Sequence, residues 1–374
     1  MIAPCARGSI STSRSRSSRA ASSTSSPASR AKRRGPERRA AVPDRTLAAF
    51  DYHTEGEPMR IVHAGGPAVG GDSMLERSRD FARRHDEVRR LVLDEPRGHA
   101  AMCAAFLTPP CEPAADRGVI FVEPLGVVHM CGHGTIAIAT MLVETGAVPR
   151  VEPETRVTLD TAAGLVTARV HVRGDRVAGV TITNVPSYSA RLDAKVDVPG
   201  LGPVTFDLAY GGHFYALVEA RPLGLTLEPG EAARLVETGE RLRAAIEAAT
   251  DLRHPEGEQS RGLLYIQFYG PPARPDAHLR NAVVVAPAAL DRSPCGTGTS
   301  ARLANLHARG RLRPGEPFVH ESIIGTVFEG RIAGVTRVGP YEAVIPEIRG
   351  RAWLSGVNQL IVRDDDPFPG GFRL

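Results

Sequence analysis

Two short stretches carry the residue types best suited to chemistry: Cys131-Gly-His-Gly-Thr135 and Cys295-Gly-Thr-Gly-Thr299. They are one pattern written twice. Each runs into a helix-like segment, Thr135 to Glu144, which is almost wholly apolar, and Thr299 to Ala308, which is similar though more polar. Each segment stops at a glycine, Gly146 or Gly310, which lies 15 residues beyond its cysteine. Glycine is the usual residue just past a helix C-terminus, so the repeat predicts a cysteine at the head of a helix, twice. The first turn of a helix carries N–H groups without partners and the positive end of the helix dipole. Both lower a thiol's pKa from about 8.5, and the same N–H groups can cradle a carboxylate. The glycines let a ligand come close to the backbone.

Set face to face, two such units hold one carboxylate between two helix heads and place its α-carbon between two sulfurs. One thiolate takes the α-proton. The opposite thiol returns a proton to the other face, which inverts the centre. A hydrogen beside an ionised carboxylate is weakly acidic, so the N–H donors must stabilise charge that develops on the carboxylate oxygens. No metal or pyridoxal is required. Two polar residues flank the thiols. Asp291, four residues before Cys295, can hold an ammonium, accept a hydrogen bond or set a thiol's protonation; in Asp-Arg-Ser-Pro it also suits a turn. His133 can do the matching job in the first motif, or cap local backbone. The Cys131/His133 spacing with a distant Cys295 is not a structural zinc pattern, and a metal would occupy the thiols, so no metal site is expected.

The elements that must position these residues are mostly strands. Candidates are Arg60–His63, Val88–Leu93, Gly118–Val122, Arg156–Leu159, Leu165–His171, Ala178–Ile182, Phe214–Val218, Leu263–Phe268, Ala282–Ala286, Ile332–Val338, Tyr341–Ile345 and Ala352–Leu354, each short and bounded by Gly, Pro or charge. Arg173 to Arg176 reads as a hairpin turn. Short strands with close turns suggest barrels or strongly curved sheets. Helices are expected at Leu75–Glu87, with some irregularity, and at Pro229–Ala248, besides the two after the cysteines; the apolar character of the first of these on all sides, shared in part by the more polar second, calls for burial inside a domain. Trp353 reads as a core residue. The 164 residues between Cys131 and Cys295 are a domain-sized interval and suggest a duplicated unit.

Composition narrows the class. Hydrophobic residues at 42% and charged residues at 24% fit a soluble globular protein. No run of eighteen apolar residues is present, so no membrane span is expected. The net charge of +4 hides two regimes. Residues 1–45 hold ten arginines and one lysine against Glu37 and Asp44, a net +9, which leaves −5 for the rest. The basic Ser/Arg-rich stretch reads as disordered. It is taken as an upstream extension in preference to a transit peptide or a loose nucleic-acid tail, and the acidic body gives no nucleic-acid surface. Five cysteines, an odd number, argue against a disulfide scaffold and for a reducing, cytoplasmic setting.

The motifs closely resemble the proline racemase family, which includes hydroxyproline 2-epimerases and trans-3-hydroxy-L-proline dehydratases. The stretches that carry the resemblance are His53-Thr-Glu-Gly-Glu-Pro58, Gly98-His-Ala-Ala-Met102, Met130-Cys-Gly-His-Gly-Thr-Ile136, Gly211-Gly-His-Phe-Tyr215, Asp291-Arg-Ser-Pro-Cys-Gly-Thr-Gly-Thr-Ser300 and His320-Glu-Ser-Ile-Ile-Gly325. The resemblance implies the diaminopimelate-epimerase-like α/β (α+β) fold: two pseudo-symmetric lobes, each a curved sheet or barrel around a central helix. Residues 46–183, joined by 344–374, form the first lobe with Cys131, and residues 184–343 the second with Cys295. It further implies that these cysteines are the two bases and that His133 and Asp291 lie near the substrate amine. Backbone around Gly132, His133, Gly296 and Thr297 would hold the carboxylate. A homodimer without a cofactor is implied, with a small imino acid as its ligand.

The substrate is read from three departures. The family's dehydratases typically carry threonine at the second cysteine; Cys295 therefore favours racemisation or 2-epimerisation over dehydration, with a thiol-redox or non-catalytic protein as the remaining alternative. Proline-specific members tend to have aromatic residues where this chain has Cys103 and Val285, and two smaller residues favour a hydroxylated ring. His213 replaces a common asparagine; it can bond a ring hydroxyl or serve structure alone. Cys103 is alternatively a small buried hydrophobe.

Overall fold

The computed structural model describes residues 45–257 and 262–373. The expected basic extension at 1–45 lies outside them except for Arg45, which opens the first strand. The elements in chain order are β1 (Arg45–Thr54), β2 (Glu57–Ala64), α1 (Met74–Arg84), α2 (Asp86–Leu93), β3 (Cys103–Thr108), β4 (Arg117–Glu123), β5 (Gly126–Val128) and α3 (Gly132–Glu144). They continue with β6 (Glu154–Thr161), β7 (Gly164–Arg173), β8 (Arg176–Thr183), β9 (Ser187–Val198), β10 (Gly202–Tyr210), β11 (Phe214–Glu219), α4 (Ala232–Ala249) and β12 (Tyr265–Gly270). Then follow β13 (Leu279–Val285), β14 (Ala289–Leu290), α5 (Gly296–Ala308), β15 (Pro317–Glu321), β16 (Val327–Val338), β17 (Tyr341–Gly350) and β18 (Ala352–Val362).

The fold is α+β. Most strand pairs are antiparallel; β2–β3, β4–β6, β11–β12 and β13–β15 are parallel. Strands β9, β10, β11, β12, β13, β15, β16 and β17 close on themselves, β17 returning to β9, in an eight-stranded barrel. Helix α5 packs against β9, β10, β11, β16 and β17 of that barrel. A second run, β1-β2-β3-β4-β6-β7-β8, continues to β17, while β1 pairs with β18 across ten residues. Only Arg351 separates β17 from β18, so the two ends of this run meet on one stretch of chain. Helix α3 packs against these strands.

Strand periodicity explains how one layer serves two helical partners. On β3, Cys103 and Ala105 join the core around α3, while Ala104 and Phe106 join the core of α1 and α2. On β4, Val119 and Phe121 take the first side and Ile120 and Val122 the second. The helices after the cysteines are buried as their composition required, and Gly146 and Gly310 follow them at φ +73° and +66°. The turn between β7 and β8 falls at Gly174 (φ +61°) as expected.

The structure departs from the sequence expectations at three places in the fold. Val88–Leu93 is the helix α2, not a strand: Val88, Leu91 and Val92 are buried at helical spacing. The helix expected at Leu75–Glu87 accordingly breaks at His85 into α1 and α2. Trp353 is not in the core. It is 40% exposed, stacked on His53 at 5.1 Å with Arg351 across it.

Candidate active site

Cys131 is the N-cap of α3 and Cys295 the N-cap of α5. Hydrogen bonding within each helix starts at Thr135 N–H to the Cys131 carbonyl (2.9 Å) and Thr299 N–H to the Cys295 carbonyl (2.8 Å). The N–H groups of Gly132, His133, Gly296 and Thr297 therefore have no acceptor within their own helices. The two helix heads meet. A Cβ on Gly132 would lie 3.1 Å from the Cα of Gly296, and one on Gly296 would lie 3.2 Å from the Cα of Gly132. These glycines thus serve the approach of one helix to the other, a role the sequence reading had given to a ligand alone.

A narrow cavity of about 40 Å³ sits at this junction. Every residue singled out from the sequence lines it: Cys131, Cys295, Gly132, His133, Asp291, Gly296, Thr297, Cys103, His213 and Val285. Four further polar residues line it that sequence reasoning left without a role: Glu57, Glu123, Tyr215 and Tyr265. Glu57 and Tyr215 stand in motifs already marked, so their position was the available signal. Glu123 ends an apolar strand and Tyr265 opens another, and neither carries a local mark.

Each thiol has its own partner. The Cys131 sulfur lies 3.4 Å from His133 Nδ1. The Cys295 sulfur lies 3.3 Å from the Tyr215 hydroxyl, which in turn is 2.6 Å from Thr297 Oγ1. The backbone differs too: Cys131 is extended, whereas Cys295 has φ +65°, a left-handed conformation that costs a non-glycine residue energy and is found at functional sites. The Asp291–Cys295 loop holds it there. Ser293 N–H donates to Asp291 Oδ1 at 2.7 Å and Cys295 N–H donates to Ser293 Oγ at 3.1 Å. Asp291 is therefore both the turn residue and a cavity-lining carboxylate.

The thiols do not show the lowered pKa expected of helix heads. Burial pushes both well above the ordinary thiol value, with Glu123 adding for Cys131 and Asp291 adding for both. The N–H of Gly134 and that of Gly298 pull the other way, towards thiolate, but do not outweigh desolvation. Burial holds His133 neutral, against the pull of Asp291 and the Pro58 carbonyl. Glu57 accepts Arg292 N–H at 2.7 Å and is pushed far up by burial and by Asp291, whose carboxyl lies within hydrogen-bonding range. Glu123, bonded by the Tyr265 hydroxyl at 3.0 Å, is pushed up to about 7 by burial. The cavity wall has three carboxyl groups and neither lysine nor arginine. It suits a small ligand carrying a cationic nitrogen beside a carboxylate. Among the described residues, no cluster of three His, Cys, Asp or Glu side chains could hold a metal ion.

The sequence model of the proline racemase family matches residues 49–373. The chain belongs to the proline racemase family. It is 48% identical over 331 residues to the 4-hydroxyproline 2-epimerase of Streptosporangium roseum, which covers 88% of this chain and 99% of that protein. It is 42% identical over 330 residues to the proline racemase of Clostridioides difficile, covering 88% and 98%. Among solved structures, a hydroxyproline epimerase from Agrobacterium vitis with bound trans-4-hydroxy-L-proline superposes with a TM-score of 0.83 at 40% identity, covering 88% and 95%. In this proline racemase family member, Cys103 at the start of β3 and Val285 at the end of β13 both line the cavity. His213 lies in the same lining, 3.4 Å from the Met130 carbonyl and packed at 5.3 Å against Tyr265.

Proposed function

We propose that the protein is a cofactor-independent racemase or 2-epimerase of 4-hydroxyproline or proline, inverting the α-carbon by deprotonation on one face and reprotonation on the other. One observation carries the reading: two thiols, each at the head of a buried helix, line a single cavity at the point where those heads touch. The substrate carboxylate takes the N–H groups of Gly132, His133, Gly296 and Thr297. These donors are fixed before the reaction and meet the charge that builds on the oxygens as the α-proton leaves. The cationic ring nitrogen goes to Asp291 and His133. The thiol pair carries one proton between them. The thiolate takes the α-proton, the opposite thiol gives up its own, and the roles are exchanged for the reverse direction. Among ring substituents, 4-hydroxyproline is preferred over proline, because Cys103 and Val285 are small and His213 offers a ring nitrogen to a hydroxyl.

The arrangement is read as two pseudo-symmetric lobes, 46–183 with 344–374 and 184–343. The order of elements supports it. The series β2, α1/α2, β3, β4, β5, α3, β6, β7, β8 parallels β11, α4, β12, β13, β14, α5, β15, β16, β17. In both series the strands flanking the outer helices are parallel, as are the pairs β4–β6 and β13–β15 on either side of the hairpin strand and buried helix. A cytoplasmic homodimer is the form in which it is proposed to act.

Incubation with trans-4-hydroxy-L-proline, L-proline and trans-3-hydroxy-L-proline, followed by chiral chromatography, tests the function. Inversion of one of the first two is expected without added cofactor, with α-deuterium in the product in deuterated water. Cys131→Ser and Cys295→Ser should each lower kcat about a hundred- to ten-thousand-fold, the usual size of a lost acid or base. A cyclic imine from the 3-hydroxy substrate, without inversion of the others, would assign a dehydratase instead.

A further inference from the structure

The two thiols stand in equivalent places but have unlike surroundings. In the parallel β2–β3 pair Met59 faces Cys103, and in the parallel β11–β12 pair Tyr215 faces Tyr265. Met59 reaches the first turn of α3, its Cε 2.8 Å from where a Gly134 Cβ would stand. It brings a methyl group without a donor. Tyr215 brings a hydroxyl to the first turn of α5, 3.3 Å from the Cys295 sulfur and 2.6 Å from Thr297 Oγ1. The ring is held by stacking on Tyr265, centroids 4.8 Å apart and 17° from parallel. Tyr265 is in turn anchored on Glu123 at 3.0 Å.

We infer that Tyr215 is a positioning residue for Cys295, one whose hydroxyl hydrogen-bonds this sulfur both as thiolate and as thiol and so makes the two bases of the site inequivalent. The inference rests on the two-thiol reading above. With Cys295 as thiolate, the Tyr215 hydroxyl donates to sulfur. With Cys295 as thiol, S–H donates to the phenol oxygen and the phenol turns its proton to Thr297 Oγ1. The phenol keeps its own proton in both states, since burial and the nearby Cys295 and Tyr265 hold it well above the usual tyrosine range. A donor aimed at a thiolate stabilises it. Cys131 has no hydroxyl in the matching place and relies on the neutral His133 ring at 3.4 Å. Of the two singly ionised forms of the free enzyme, the one with its thiolate on Cys295 is therefore the more favoured, although burial raises both thiols. The epimer whose proton Cys295 removes binds that form directly, and the other epimer binds the less populated one.

Tyr215→Phe keeps the ring and its stack and removes only the hydroxyl. Two measurements on the full chain read the result. The first is a pH titration of thiolate absorbance near 240 nm in the Cys131→Ser background, with Cys131→Ser/Cys295→Ser marking the Cys295 contribution. Tyr215→Phe should move the Cys295 titration upward by roughly one pH unit, the size of one hydrogen bond to a charged group. The second is kinetics in both directions on the unsubstituted cysteines. The ratio of the two kcat values and the ratio of the two KM values should change by the same factor, on the order of ten-fold, while the ratio of kcat/KM stays fixed by the overall equilibrium. An unmoved Cys295 titration, or a variant that merely melts earlier with both ratios intact, overturns the inference. The titration needs no substrate, so it judges Tyr215 even if no imino acid is inverted, a result that would instead overturn the function.

Discussion

Glu123 faces the thiols from the end of β4 with its carboxyl on the Tyr265 hydroxyl, and its titration makes the wall of the cavity measurable. Its pKa of about 7 stands above the ordinary carboxyl value of 4.5. Between those values the folded protein holds a proton that the unfolded chain has released, so stability falls as pH rises through that window and levels off above it. Glu123→Gln keeps an acceptor for Tyr265 and removes the charge. Thermal melting at pH 5 and pH 8 should show a smaller drop for the variant than for the wild type. The drop should shrink without vanishing, because Glu57 is also held high by burial and by Asp291. Equal drops in the two proteins would place the Glu123 carboxyl in water. At this scale the sequence was legible where residues stand in a motif. Cys131, Cys295, His133 and Asp291 were all singled out from their motifs, and all line the cavity. Glu123 and Tyr265 were not, because they reach the cavity through strand register, which no local spacing records.

The helices α3 and α5 depend on a contact between their first turns that leaves no room for a side chain. A methyl group on either Gly132 or Gly296 would fall 3.1–3.2 Å from the backbone of the other. Gly132→Ala and Gly296→Ala should each destabilise by about 1–3 kcal/mol, as inserted methyl groups do in a packed core, and should lower activity more than either raises the unfolding rate. Because both substitutions open the same contact, the double variant should cost less than the sum of the singles. Denaturant unfolding of the four proteins checks this, and strict additivity would mean the helix heads do not touch. The same elements show why reading a sequence succeeds in some places and fails in others. Both buried helices were legible from a cysteine cap and a glycine stop, with an almost wholly apolar run in α3 and a more polar one in α5, which buries Arg302 and Asn305. Segment 88–93 misled because Val88, Leu91, Val92 and Leu93 satisfy a short apolar strand as well as one face of a helix. Strand β9, Ser187–Val198, was missed because most of its middle is exposed and polar, and only its pairing with β10 and β17 makes it a strand.

At the scale of the whole molecule, the cavity holds its thiols away from the surface. Cys131, Cys295 and Cys103 are each less than 9% exposed, and the wall is built from both halves of the chain, β2, β3 and α3 on one side and β11, β12 and α5 on the other. If those halves part to admit a ligand, the strands that join them, β8, β9 and β17, are the connection about which they would move. Closure around a ligand excludes water and strengthens the N–H donors that the chemistry needs. Cys111 gives an internal reference, since it is partly exposed, lies in the loop after β3 and is anchored by its backbone N–H on Asp160 at 2.7 Å. Alkylation with N-ethylmaleimide, followed by peptide mass mapping, should label Cys111 much faster than Cys131 and Cys295. Saturating trans-4-hydroxy-L-proline should slow Cys131 and Cys295 together and leave Cys111 unchanged. The common factor for the two is the decisive part: a ligand that merely covered one thiol would protect that one alone, whereas a ligand held between two helix heads keeps the molecule shut and shields both.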